Sequence, residues 1–85
     1  MYMVSIKFTD HAKRQMRERS LSKKVVISSI QKADFEKKQH DGRLKLIKVI
    51  SRKPKTFLLI IIVEKIQKEL KVITVFKTSK AKKYL

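Results

Sequence analysis

His11, Gln15 and Arg19 follow one another at one-turn spacing along a strongly basic stretch, flanking the small apolar pair Ala12 and Met16. Histidine exchanges a proton near neutral pH, and arginine grips phosphate oxygens with two donors. Cleaving RNA without a metal ion needs those abilities: a base for the 2′-hydroxyl, cations for the charge that builds on phosphorus, and an acid for the leaving oxygen. Each residue also has an ordinary reading. His11 then bonds locally at a helix start, and Arg19 complements the helix dipole at the C-terminal end.

Charge sets the class of partner. Lys and Arg number 23 against 7 Asp and Glu, a formal net charge of +16 on 85 residues. An ordinary small domain carries a net charge of roughly 2–8. The cations cluster as Lys13, Arg14, Arg17 and Arg19, then Arg52, Lys53 and Lys55, then Lys77, Lys80, Lys82 and Lys83. Such clusters neutralise phosphates and release counterions, so a polyanion is the expected partner. A membrane surface fits less well, because neither helix joins a basic face to a Trp- or Phe-rich one. The chain has no cysteine and its two histidines are far apart, which leaves poor material for a metal site; no cofactor is implied. The longest apolar run, Phe57–Val63, is shorter than the roughly 20 residues a membrane span needs. With no signal-peptide pattern either, the expected location is cytoplasmic.

These groups must be positioned by a chain of one small domain, residues 1–85. Tyr2, Val4, Ile6 and Phe8 alternate as in a half-buried strand. Thr9 and Asp10 offer caps for a helix from about His11 to Arg19. Ser22 caps a second helix, with Leu21 placed to staple onto Val26, and Val26, Ile27, Ile30 and Ala33 form its apolar stripe. The polar segment Asp34–Gly42 reads as a loop ending in an Asp-Gly turn. Three strands follow: RLKLIKVIS, then TFLLIIIVE, apolar on both faces and therefore central, then LKVITVFK. Thr74 falls in phase with Leu70, Val72 and Phe76, which predicts a polar group facing inward. Tyr84 in the basic tail can stack on a base or donate a proton, or simply pack on the sheet. His40 sits in a polar turn, and Glu64 and Glu69 are too isolated to suggest paired-carboxylate catalysis. The expected fold is α+β, in the order β-α-α-β-β-β, with two N-terminal helices on an antiparallel four-stranded sheet.

The string His11-Ala12-x-x-x-Met16-x-x-Arg19-Ser20-Leu21-Ser22, opening onto a helix, resembles a family of small prokaryotic domains of unknown function. Its members begin with a strand and then read H-A-x-x-R-M-x-x-R-G-I-S. Arg52-Lys53 before an apolar strand, Val72-Ile73-Thr74-Val75-Phe76, and Lys83-Tyr84 in a basic tail extend the likeness over nearly the whole chain. Two positions depart from the pattern: Gln15 replaces the usual arginine and Ser20 the usual glycine. The family looks like a branch of the RelE/ParE-type toxins, within the barnase–EndoU–colicin–RelE group of ribonuclease folds. That resemblance implies helices on a curved sheet, a site on the concave sheet face, and an acidic antitoxin as partner. It implies a metal-independent endoribonuclease acting on mRNA, free or on the ribosome. In it His11, Arg19, Thr74 and Tyr84 form the catalytic set and Arg52 and Lys53 bind the phosphate, while the remaining basic clusters, with Arg14, Arg17, Lys77, Lys80 and Lys83, are expected from their charge to hold RNA. A non-catalytic nucleic-acid-binding module and a ParE-like gyrase inhibitor are the alternatives, and homodimerisation is left open by the apolar strand.

Overall fold

The computed structural model describes residues 5–52 and 55–84. Tyr2, Val4 and Lys53, which figured in the sequence reading, lie outside them. The elements are β1 (Ser5–Phe8), α1 (Asp10–Glu18), α2 (Lys23–Gln31), β2 (Phe35–Lys38), β3 (Leu44–Arg52), β4 (Lys55–Ile66), β5 (Glu69–Thr78) and a one-turn α3 (Ala81–Tyr84). The α+β class and the two N-terminal helices are as expected. The sheet differs: it has five strands in the order β1-β5-β4-β3-β2, and β1 runs parallel to β5 while all other pairs are antiparallel. The extra strand, β2, comes from the segment read as a loop. FEKK carries no apolar alternation; its backbone pairing with β3 holds it, together with the Asp34 carboxylate, which accepts the Val49 N–H at 2.8 Å just past the paired region.

Both helices begin and end as their residues dictate. The Thr9 hydroxyl accepts the Ala12 N–H, and Ser22 accepts that of Val25. At the end of α1 the Ser20 N–H donates to the Arg17 carbonyl and the Leu21 N–H to that of Met16. This pair of bonds is the Schellman arrangement, and it requires a left-handed residue, here Ser20 at φ 53°. Ala12 and Met16 of α1 and Val26 of α2 pack on Leu46, Leu59, Ile61, Val63, Val72 and Val75 to form the main core. Across the sheet, Ile47, Leu58 and Ile60 form a second cluster with Val49, Ile62, Phe76 and Tyr84. Leu58 through Ile61 are buried whichever way they point, so the central placement of β4 is as its sequence predicts. Burying each such side chain contributes about 1.5–3 kcal/mol.

A bulge in β5 decides which residues face the site. Ile62 opposes Thr74 while Val63 opposes Val72, so Ile73 is the extra residue. Leu70 and Val72 face the helices, but after the bulge it is Val75 that joins them. Thr74 and Phe76 are turned to the opposite, outer face. The strict alternation that put Thr74 in phase with Leu70 and Val72 is thereby corrected.

Candidate functional site

On the outer face the register aligns chemistry in rows. Thr74 on β5, Ile62 on β4, Lys45 on β3 and Lys37 on β2 are successive cross-strand partners. At about 4.8 Å per strand the row spans roughly 14 Å. The next row is Phe76, Ile60, Ile47 and Phe35. The tail lays Tyr84 over this floor. Its ring meets Phe76 edge-on at 5.7 Å between centroids, and the ammonium groups of Lys45 and Lys83 each stand 5.6 Å from its centre. Lys37 donates its ammonium hydrogen to the Tyr84 carbonyl at 3.0 Å. An aromatic ring, a hydroxyl on the floor and three ammonium groups thus share one face. Such a face can stack a base and hold phosphates. Next along β4, Glu64 accepts from Arg43 at 3.4 Å, and Arg43 also pairs with Asp41, so this carboxylate is tied up at the margin.

The helical candidates stand elsewhere. α1 runs beside β5 where β1 has ended. The Thr9 hydroxyl donates to the Ile73 carbonyl at 3.3 Å, and the Gln15 side-chain oxygen accepts the Val75 N–H at 2.9 Å. Farther on, Ser20 and Leu21 line a cleft with Lys77. Gln15 therefore points at the β5 edge, and His11 and Arg19, one turn to either side of it, are exposed along that lip. Arg19 is the C-cap residue of α1.

The expected sites thus divide. Thr74, Tyr84 and Lys83 meet on the outer face, whereas His11 and Arg19 stand at its β5 border. Arg14 is exposed on α1; Arg17 lines a helix-side cleft with Lys13, and Lys77 opposes Leu59, a residue of the helix-side core. Lys80 is exposed before α3, its N–H donating to the Thr78 hydroxyl, and Arg52 ends β3 opposite Lys55. Sequence reasoning missed Lys37 and Lys45. Lys45 carried a signal, since it alternates with Leu44 and Leu46; Lys37 did not, because its strand was read as a loop. Among the described residues no three His, Asp or Glu side chains gather at one place, and no helix is long and apolar enough to cross a membrane.

Residues 8–77 match the family described as a domain of unknown function, DUF4258. The chain belongs to that family. The matched span runs from the end of β1 to Lys77 in β5, so it takes in the bulge, the Gln15 contact and the row from Thr74 to Lys37, while Tyr84 lies beyond it. No curated protein and no solved structure matches the chain.

Proposed function

We propose that this domain is an RNA-directed toxin of the RelE-like kind, which holds a single strand across the outer face and cuts it at the β5 lip without a metal ion. The observation that carries the reading is the row Thr74–Ile62–Lys45–Lys37 beneath the Tyr84 ring. A base stacked on an aromatic contributes about 1–3 kcal/mol, and the lysines supply the sequence-independent phosphate attraction. At the lip His11 takes the proton from a 2′-hydroxyl, whose oxygen attacks phosphorus. The P–O5′ bond breaks, the 5′-oxygen takes a proton from water while His11 returns its own to solvent, and a 2′,3′-cyclic phosphate remains. Arg19 stabilises the charge on the phosphoryl oxygens.

One observation favours a second reading, a non-catalytic RNA-binding module: His11 and Arg19 form no hydrogen bond or ion pair with Thr74, Tyr84 or Lys45 among the described side chains. A single experiment separates the two. Purified protein is incubated with single-stranded RNA in EDTA, and cleavage and binding are followed together. Wild type is expected to give discrete cuts ending in cyclic phosphate. His11→Ala is expected to bind as before and cut about 10²-fold more slowly, the lower end of what a general base supplies. Lys45→Ala is expected to weaken both. Binding without any cut by wild type selects the binding module, and loss of both activities in wild type ends the RNA reading.

A further inference from the structure

Beside the last turn of α2 the helix-side face of the sheet holds a cleft of about 230 Å³, floored by Ile30, Leu44, Leu46, Val63 and Leu70. Glu36 and Lys65 complete its lining. Register explains their places. Glu36 on β2 opposes Leu46, a core residue of the helix side, while Lys65 on β4 lies two residues after Val63 and opposes Leu70. Both side chains therefore project toward the helices. The row of Glu36 crosses Leu46 to Ile61, four residues before Lys65. Two strand spacings across and four residues along put the Cα atoms of Glu36 and Lys65 about 16 Å apart. A carboxylate and an ammonium group thus stand at opposite ends of an aliphatic floor. Neither is committed elsewhere: Asp34, Asp41, Glu64 and Glu69 each pair with a Lys or Arg, but Glu36 and Lys65 have no ion-pair partner among the described residues. Lys38 shares the face of Glu36, opposite Leu44, and does not line the cleft.

We propose that this cleft binds a free ω-amino acid, an unbranched aliphatic chain with an ammonium group at one end and a carboxylate at the other. Glu36 takes the ammonium, Lys65 takes the carboxylate, and the methylenes lie on the floor between them. Charge-assisted bonds at both ends set the direction and length of the ligand, and the aliphatic floor adds burial. The volume is below the roughly 300 Å³ at which drug-sized sites begin, so the occupant is of single-residue size. Between its charged ends the lining is aliphatic, and a peptide bond placed there would lose its hydrogen bonds to water without replacement. RNA does not suit the cleft, since Glu36 repels phosphates and no aromatic ring lines it. A fatty acid would satisfy Lys65 and leave Glu36 facing its chain. The cleft lies across the sheet from Tyr84 and Lys45, so the proposal stands independently of the RNA reading.

The test titrates the labelled full chain with 6-aminohexanoate, hexanoate and hexylamine near neutral pH and follows the amide shifts. Saturable shifts are expected at Glu36, Leu44, Val63 and Leu70, and 6-aminohexanoate is expected to bind at least tenfold tighter than either single-charge control. Glu36→Gln should weaken 6-aminohexanoate at least tenfold and leave hexanoate binding no worse. Glu36 is exposed and glutamine nearly matches its shape, so this variant keeps its fold. Lys65→Met should do the converse, weakening 6-aminohexanoate at least tenfold and sparing hexylamine. Equal affinity for all three compounds overturns the proposal, because the charges would then select nothing. So do shifts that fail to saturate or that fall outside the cleft, and so does an unchanged affinity in Glu36→Gln. Tighter binding of Nα-acetyl-lysine than of 6-aminohexanoate overturns it in favour of a lysine at a chain end. Failure of RNA binding at Lys45 would leave the result standing.

Discussion

Gln15 shows how a position that suggests chemistry can be held by structure. The motif that this chain resembles has an arginine there, yet in this chain the Gln15 oxygen accepts the Val75 N–H, which lies past the end of β1 and has no strand partner on that side. Arginine has donors only and cannot replace it. Leaving a part-buried N–H unpaired costs about 1–3 kcal/mol. Gln15→Ala and Gln15→Arg are therefore expected to lose that much stability in urea titrations, whereas Gln15→Glu retains an acceptor and loses less. Ser20 departs from the pattern in the opposite sense. At φ 53° it occupies the left-handed position of the Schellman turn, where a side chain costs about 1–2 kcal/mol. Allowing for the greater freedom glycine gains in the unfolded chain, Ser20→Gly should stabilise by about 1 kcal/mol and raise Tm by about 4–8 °C. An unchanged or lower Tm would show that the turn does not strain serine.

At the scale of elements, the two helices, their caps and the central placement of β4 were all legible, because apolar spacing and capping hydroxyls are local signals. Three features were not. The four residues of β2, three of them charged, gain their order from β3 and from Asp34, and nothing in FEKK itself announces a strand. The parallel direction of β1 is a matter of topology, which alternation does not encode. The β5 bulge preserves an alternating string while moving Thr74 to the other face, so the pattern was read correctly and its consequence was reversed. For the site, Thr74, Tyr84 and Lys83 were named from the sequence, but their juxtaposition with Lys37 and Lys45 depends on register across four strands. Asp34 offers a direct test of how β2 is held. The Val49 N–H and then Lys48 pull its carboxyl below its ordinary value of 3.8. A lowered folded value means stability that is present above the unfolded value and lost as pH falls through the folded one. Asp34→Asn is expected to flatten the decline in stability below about pH 4, read from denaturation midpoints across pH. If the variant and wild type lose stability in parallel there, Asp34 does not anchor the strand.

The whole molecule is a small α+β body with a net charge of +16, cations on both sides of the sheet, and few internal partners for them. Self-repulsion of that size should be relieved by screening, so Tm is expected to rise when salt increases from 0.01 to 0.15 M, as the Debye length falls from about 30 to 8 Å. A falling Tm would mean that the surviving ion pairs outweigh the repulsion. The same charge would make the proposed RNA binding salt-dependent, with a slope of about −0.7 per phosphate contacted on a single strand. Removing Lys45 should lower the magnitude of that slope by about that amount. The most direct test of the proposed RNA-binding face is an amide chemical-shift titration of the labelled chain with a short single-stranded RNA at physiological salt. Shifts are expected at Lys37, Lys45, Thr74, Phe76 and Tyr84, with Leu21 and Val25 unmoved. Shifts confined to the helix side, or spread evenly over every cationic surface, would contradict it.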